Sequence, residues 1–327
     1  MPLEVPVRFR GDELTDLIVL AIARRITKKA PFSDFGNAKI AKVVYDVADQ
    51  LDLPITRSWY KFGTYVWSDY ATSSRLLEFQ NHDESNPEIS YTIELSRAKD
   101  KETFSAIEKI VSKHKMLGMS LSAFLDELYE RAPPKYRGLY KSHRKVLMRM
   151  QRIAKSLEHD DEIPEPQFLN ASRDITAFQK EMFAFEDRSE MVEMVIDYTN
   201  LLEDLIVKYD ELLDNDMALK SFVPFFAEVY RSYSDEIWAF PPSIITIETV
   251  KGENQDVVTA SRNKHLAQLE DYVRKPIEMR EQAFGQGFYP AQSEILHSQE
   301  KLERLIGSAE GTFKDHFTKA IWPLNQE

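Results

Sequence analysis

Residues 191–212 read MVEMVIDYTNLLEDLIVKYDEL. Met191, Val195, Tyr198, Leu202, Leu205, Tyr209 and Leu212 step by four and three without a break. Apolar residues at that spacing form one stripe of a helix that packs as in a coiled coil or bundle. The spacing therefore predicts a long helix over 188–214 and a mainly α chain.

A second seam lies upstream: Leu139, His143, Val146, Met150, Ile153 and Leu157. His143 reads as a polar notch that sets register. The stretch from Lys135 to Lys155 carries eight basic residues and no acid. Lys141, Lys145, Arg149 and Arg152 share one face away from the seam, and Arg144 lies beside them. Such a face could follow a phosphate backbone, with affinity falling steeply with salt. The 188–214 helix is instead acidic, carrying Glu190, Glu193, Asp197, Glu203, Asp204, Asp210, Glu211 and Asp214 against Arg188 and Lys208. Two seams of opposite charge can pair with each other inside one chain or between copies in a homo-oligomer. An acidic protein partner is the other non-nucleic-acid reading.

Further helices are expected over roughly 100–117, 120–131, 135–157 and 256–284, with Pro276 as a kink. The aromatic-rich SFVPFFAEVYRSYSDEIWAF, 221–240, reads as buried helix. PPSIITIETVKGEN, 241–254, is rich in β-branched residues and reads as a strand, with Gly252 at its turn. Near the start, Leu14, Leu17, Ile18, Ala21 and Ile22 mark a helix burying one face. A second helix, capped by Asp34 or Asn37, buries Ile40, Val43, Val44, Val47 and Leu51 and leaves Lys39, Lys42, Asp46 and Asp49 outside it. The polar stretch NHDESNPEIS, 81–90, marks a boundary, giving a helical domain over 1–90 and a helical bundle over 91–327 with a sub-boundary near 220.

The bulk numbers agree. With 10 Gly in 327 residues, the chain is poor in the tight turns that α/β enzymes need. A net charge of −12 speaks against coating nucleic acid, and the absence of cysteine removes disulfides and thiol catalysis. The longest early apolar run, LIVLAIA at 17–23, is too short to span a bilayer and follows acids where an export signal carries positive charge. No membrane association and a cytoplasmic location are expected.

Within residues 56–70, TRSWYKFGTYVWSDY, stand two Trp, three Tyr and one Phe around Gly63. Strand formers on both sides of a glycine predict a short β-hairpin. Alternation would leave Arg57, Tyr60, Lys61 or Trp67 partly exposed to a partner, while Tyr45, Trp59 and Phe62 pack inward. A helical unit with a hairpin also has the outline of a winged helix.

Catalytic chemistry has no candidate. Glu294 and His297 have the Glu-x-x-His spacing of di-iron bundles, but no second such motif accompanies them. GQG at 285–287 lacks the setting of a phosphate loop, and no Gly-x-Ser-x-Gly occurs. No catalytic residue, cofactor or metal ligand is nominated.

Residues 37–67 resemble the SocA/Panacea-type domain and its uncharacterised prokaryotic relatives. Lys39, Lys42 and Tyr45 match the helical Lys-x-x-Lys-h-h-Tyr pattern of that family, and Tyr60, Lys61, Phe62 and Gly63 match its following turn. Thr64 stands where the family usually has proline. The resemblance covers about a tenth of the chain and implies a compact helical domain of antitoxins and adaptors, hence protein binding without catalysis. The expectation is a non-enzymatic regulatory or adaptor protein. The alternative is a DNA-binding protein that uses a winged-helix-like N-terminal domain and the 135–155 helix.

Overall fold

The computed structural model describes residues 11–26, 36–68, 71–81, 90, 92–94, 96, 101–158, 165–212 and 216–289. The fold is mainly α with one small two-stranded antiparallel sheet among the described residues. The Asp34 cap and the Glu294–His297 pair lie outside these residues. The chain divides into two compact units, one of residues 1–141 and 238–270, the other of 142–237 and 271–327. Residues on both sides of position 90 thus belong to the first unit, and position 220 lies inside a helix.

The first unit is built on α1 (Gly11–Ile26). One buried face was expected, yet the run from Leu14 to Ala23 is buried on all sides. The reason is its neighbours: α2 (Asn37–Gln50), α3 (Ser73–Gln80) and α4 (Lys101–Lys113) all pack on it. Asp16 is buried with it and accepts from Arg75 of α3, Nε to Oδ1 at 3.1 Å and Nη2 to Oδ2 at 2.6 Å. Burial of two charges is tolerated because each meets its opposite in a forked geometry. Thr72 caps α3 by accepting from the Arg75 backbone N–H. Asn37 does not cap α2, which starts from Gly36; its Oδ1 accepts from the Ser73 backbone instead.

β1 (Arg57–Tyr60) and β2 (Gly63–Val66) form the expected hairpin, with Tyr60 opposite Gly63. Lys61 and Phe62 make the turn, and Gly63 takes φ 94°, a left-handed value that a side chain would strain. After a 3-10 turn (Lys115–Gly118), α5 (Leu121–Glu130) is capped by Ser120.

The expected strand at 241–254 is a helix, α10 (Phe240–Thr249). Pro241 and Pro242 occupy its first turn, where a missing N–H costs nothing. Strand pairing survives only past its end, where Arg57 and Lys251 exchange both backbone hydrogen bonds at 2.9 Å. Gly252 follows at φ 106°, and a Cβ there would lie 2.5 Å from the Ile55 carbonyl oxygen. α11 (Gln255–Leu266) packs back on α10.

The second unit takes most of α6 (Arg137–Glu158) with α7 (Glu165–Glu181), α8 (Ser189–Leu212), α9 (Asp216–Asp235) and α13 (Lys275–Gly285), α12 being the short Leu269–Val273. α7, α9 and α13 pack on α8. Every residue of both seams is buried, from Leu139 to Leu157 and from Met191 to Leu212. The seams are therefore filled within one chain and leave no stripe for pairing copies. His143, the notch, lies 5.2 Å from the Phe178 ring and 5.9 Å from the Tyr233 ring, and burial pushes its pKa well below the usual histidine value.

Candidate functional site

The hairpin carries two unlike faces. Arg57, Trp59, Thr64 and Val66 alternate onto the buried one. Arg57, expected at the partner-facing edge, is 1% exposed. Its Nη1 donates to the carbonyls of Leu53 (2.7 Å) and Ile55 (3.2 Å), and its Nε and Nη2 reach Asp49. The turn that presents those carbonyls places Asp52 at φ 49°. Arg57 is thus a strut.

The other face turns outward. Tyr60, Tyr65 and Trp67 form a triangle of rings with centroids 4.8–5.8 Å apart. Trp67 Nε1 donates to Ser58 Oγ at 2.8 Å. Arg262 of α11 lies over both Tyr60 (5.3 Å) and Trp67 (5.1 Å), and its Nη1 donates to Tyr60 Oη at 3.0 Å. Burial raises the Tyr60 pKa, with Arg262 opposing the shift. Tyr60, Lys61 and Trp67 are half-buried, Tyr65 is 42% exposed and Phe62, expected inside, is 51% exposed. Tyr45 and Trp59 are buried as expected. Tyr65 shares alternation with Trp67 and was legible on that ground; Arg262, some two hundred residues away, had no local signal.

This face is held by its backbone. Successive hairpin carbonyls each accept from a side chain behind them: Trp59 from Thr246 Oγ1 (2.8 Å), Tyr60 from Tyr140 Oη (2.9 Å) and Lys61 from Trp238 Nε1 (3.1 Å). Lys42 Nζ donates to the carbonyls of Phe62 (2.9 Å) and Thr64 (3.1 Å). Lys42, placed outside the buried face of its helix by sequence, is buried for this purpose; desolvation pushes its pKa down to about 8 against the pull of Asp46. The outer edge of β1 is closed too, since Trp59 N–H donates to Thr249 Oγ1 at 3.0 Å. An edge strand satisfied in this way cannot add a further strand, so β1 offers a partner its side chains.

The basic stretch differs from its expectation. Lys135 pairs with Glu248 (3.3 Å), Arg149 with Asp174 (3.0 Å) and Lys141 with Glu130. The acids that answer these cations come from α10, α7 and α5 rather than from the 188–212 helix. Lys145 and Arg152 are exposed, and Arg144 is half-buried.

Among the described residues no group of His, Asp and Glu is placed to hold a metal ion. No described helix is long and apolar enough to cross a membrane. No curated protein and no solved structure matches this chain. A family model matches residues 11–310, nearly the whole chain, and the chain belongs to that family, the domain of unknown function DUF8098.

Proposed function

We propose that this chain is a non-enzymatic, cytoplasmic regulatory or adaptor protein that binds a protein partner through the outer face of its hairpin. The observation that carries the reading is the clamped hairpin, whose carbonyls from Trp59 to Phe62, and that of Thr64, are tied by buried donors. A surface ordered before binding loses little entropy on association, and aromatic rings beside an arginine are the side chains that dominate interface energies. Lys61 and Arg262 give this face positive charge, so the matching partner segment carries a carboxylate beside an apolar side chain. The resemblance of residues 37–67 to the SocA/Panacea-type domain supports the same reading.

Against the DNA-binding alternative stand the ion pairs of Lys135, Lys141 and Arg149 and the net charge of −12. At those three positions a phosphate contact would first have to displace a carboxylate. Affinity capture from the native lysate tests the proposal. The tagged chain should retain one stoichiometric partner that the Tyr65→Ala chain loses. Retention by both, or by neither, contradicts it. Fluorescence anisotropy with a labelled duplex from low to physiological salt should show no binding; a slope of several phosphate contacts would favour DNA instead.

A further inference from the structure

A second concavity lies in the first unit, away from the hairpin face, between α2, α4 and α5. Its volume is about 610 Å3. Three helical stripes converge to make it. Ala106, Lys109, Ile110 and Lys113 recur along one side of α4, Phe124, Glu127 and Arg131 along α5 and its end, and Asp46 and Gln50 close the floor from α2. The volume falls within the roughly 300–1,000 Å3 of small-molecule sites.

The floor is a locked network. Arg131 donates from Nη1 to Asp46 Oδ1 (3.2 Å) and from Nη2 to Oδ2 (2.9 Å). His114 Nδ1 accepts from the Met116 backbone N–H at 3.2 Å, so its proton sits on Nε2, which is 3.0 Å from Asp46 Oδ2. Both ring nitrogens are committed, and His114 serves as a strut rather than a free base. Burial pushes the Asp46 pKa up, but the hydrogen bonds from His114 and Arg131 and the charge of Arg131 outweigh it and hold the carboxyl below its usual range. Asp46 is therefore a fixed anion, already neutralised by Arg131.

The walls are not neutral. Four cations line the cleft against two carboxylates. Lys115 pairs with Glu127 at 2.8 Å, as Arg131 does with Asp46. Lys109 and Lys113 are exposed, four residues apart on α4, and meet no carboxylate among the described residues. Like charges at that spacing repel each other along a helix. Beside them stand apolar surfaces from Ile110, Leu51 and Phe124, with the Arg131 guanidinium 5.7 Å from the Phe124 ring centre.

We infer that this cleft binds a small organic anion, its carboxylate, phosphate or sulfonate set between Lys109 and Lys113 and its apolar body against Ile110 and Phe124. The pair of lysines without acids supplies the charge, and the apolar wall excludes a bare inorganic ion as the natural occupant. The site is separate from the hairpin face, so the inference stands or falls independently of the protein-binding proposal.

Fluorescence titration with 8-anilinonaphthalene-1-sulfonate tests it on the full chain. The dye should saturate at one site. Its uncharged relative N-phenyl-1-naphthylamine should bind at least tenfold more weakly. The double variant Lys109→Gln/Lys113→Gln, which removes a repulsion and so keeps its fold, should bind the dye at least tenfold more weakly than the wild type. Tyr65→Ala should leave the dye affinity unchanged. The inference is overturned by absent dye binding, by equal binding to the double variant, or by loss of binding in Tyr65→Ala. It is also overturned if inorganic phosphate displaces the dye at concentrations near the dye's own Kd, which would make the apolar wall irrelevant.

Discussion

The two units bury charge in opposite ways. In the first, the buried carboxylates and guanidiniums meet opposite charges: Asp16 meets Arg75, Asp46 meets Arg131, and Arg57 meets Asp49, while Lys42 meets carbonyls. In the second, the enclosed carboxylates meet hydroxyls instead. Ser172 donates to Glu203, and Tyr289 Oη donates to Asp204 at 2.7 Å. Burial pushes Glu203 up to about 7 and raises Asp204 as well, with Tyr289 and Arg280 opposing the second shift. Paired charges fix geometry at neutral pH, and the first unit is where both proposed binding surfaces lie. Carboxylates held by neutral donors instead make the stability of the second unit sensitive to pH.

The most damaging way to break the contrast is Arg75→Ala. It strips the buried Asp16 carboxylate of its forked pair with Arg75, which costs about 3–5 kcal/mol in urea denaturation. A loss below about 1 kcal/mol would mean that pairing does not hold α1 to α3.

Next in size is Lys42→Met, which strips the donor from the carbonyls of Phe62 and Thr64. The expected loss is about 2–3 kcal/mol, with the hairpin affected most. The wild type adds a pH signature. With its folded pKa depressed to about 8 from 10.5, Lys42 is held neutral in the folded state more readily than in the unfolded one. Between these values the unfolded chain binds more protons, so the Lys42 contribution to stability rises with pH. Wild type should therefore gain on Lys42→Met between pH 8 and pH 10. A constant difference between the two chains would contradict the assigned burial.

Glu203→Gln sharpens the other half. A carboxyl whose folded pKa is raised to about 7 from 4.5 contributes stability below its unfolded value that is lost as pH rises through the folded one. Glutamine keeps the acceptor for Ser172 without the charge. Glu203→Gln should thus be more stable than wild type by about 1–2 kcal/mol at pH 8, with the advantage shrinking as pH falls through 7 and gone by about pH 4. His143 acts in the reverse sense below pH 6.5, so the difference between the two chains is the quantity to read. Asp46 provides the contrast within the first unit: its pKa is depressed, so its stabilisation is complete above about pH 4 and lost only as pH falls further.

The smallest expected effect on folding is that of Tyr65→Ala. An exposed ring that touches Tyr60 and Trp67 contributes about 1 kcal/mol or less to stability. A cost above 3 kcal/mol would make the ring part of the core and weaken its role as a contact residue.

How much of this was legible follows from how redundantly each feature was written. Both seams repeat their spacing over several turns, and each named residue is buried. The hairpin carried its own glycine and strand formers. α10 misled because SIITIET is β-branched; the double proline ahead of it was the stronger signal, and Thr246 and Thr249 serve β1 as side-chain donor and acceptor rather than as strand partners. Burial of Arg57 and Lys42 was invisible because the carbonyls they serve converge only in the folded state. The same holds for the cleft, whose three stripes are ordinary on each helix and meaningful only together. The basic stretch was read against the one acidic helix that stood out, whereas single acids on three other elements answer it.

The most direct test of the central claim is hydrogen–deuterium exchange of the chain with and without its captured partner. The account predicts slowed exchange confined to residues 60–67 and the part of α11 around Arg262. Protection of the 137–158 helix instead, with the hairpin unchanged, would contradict it.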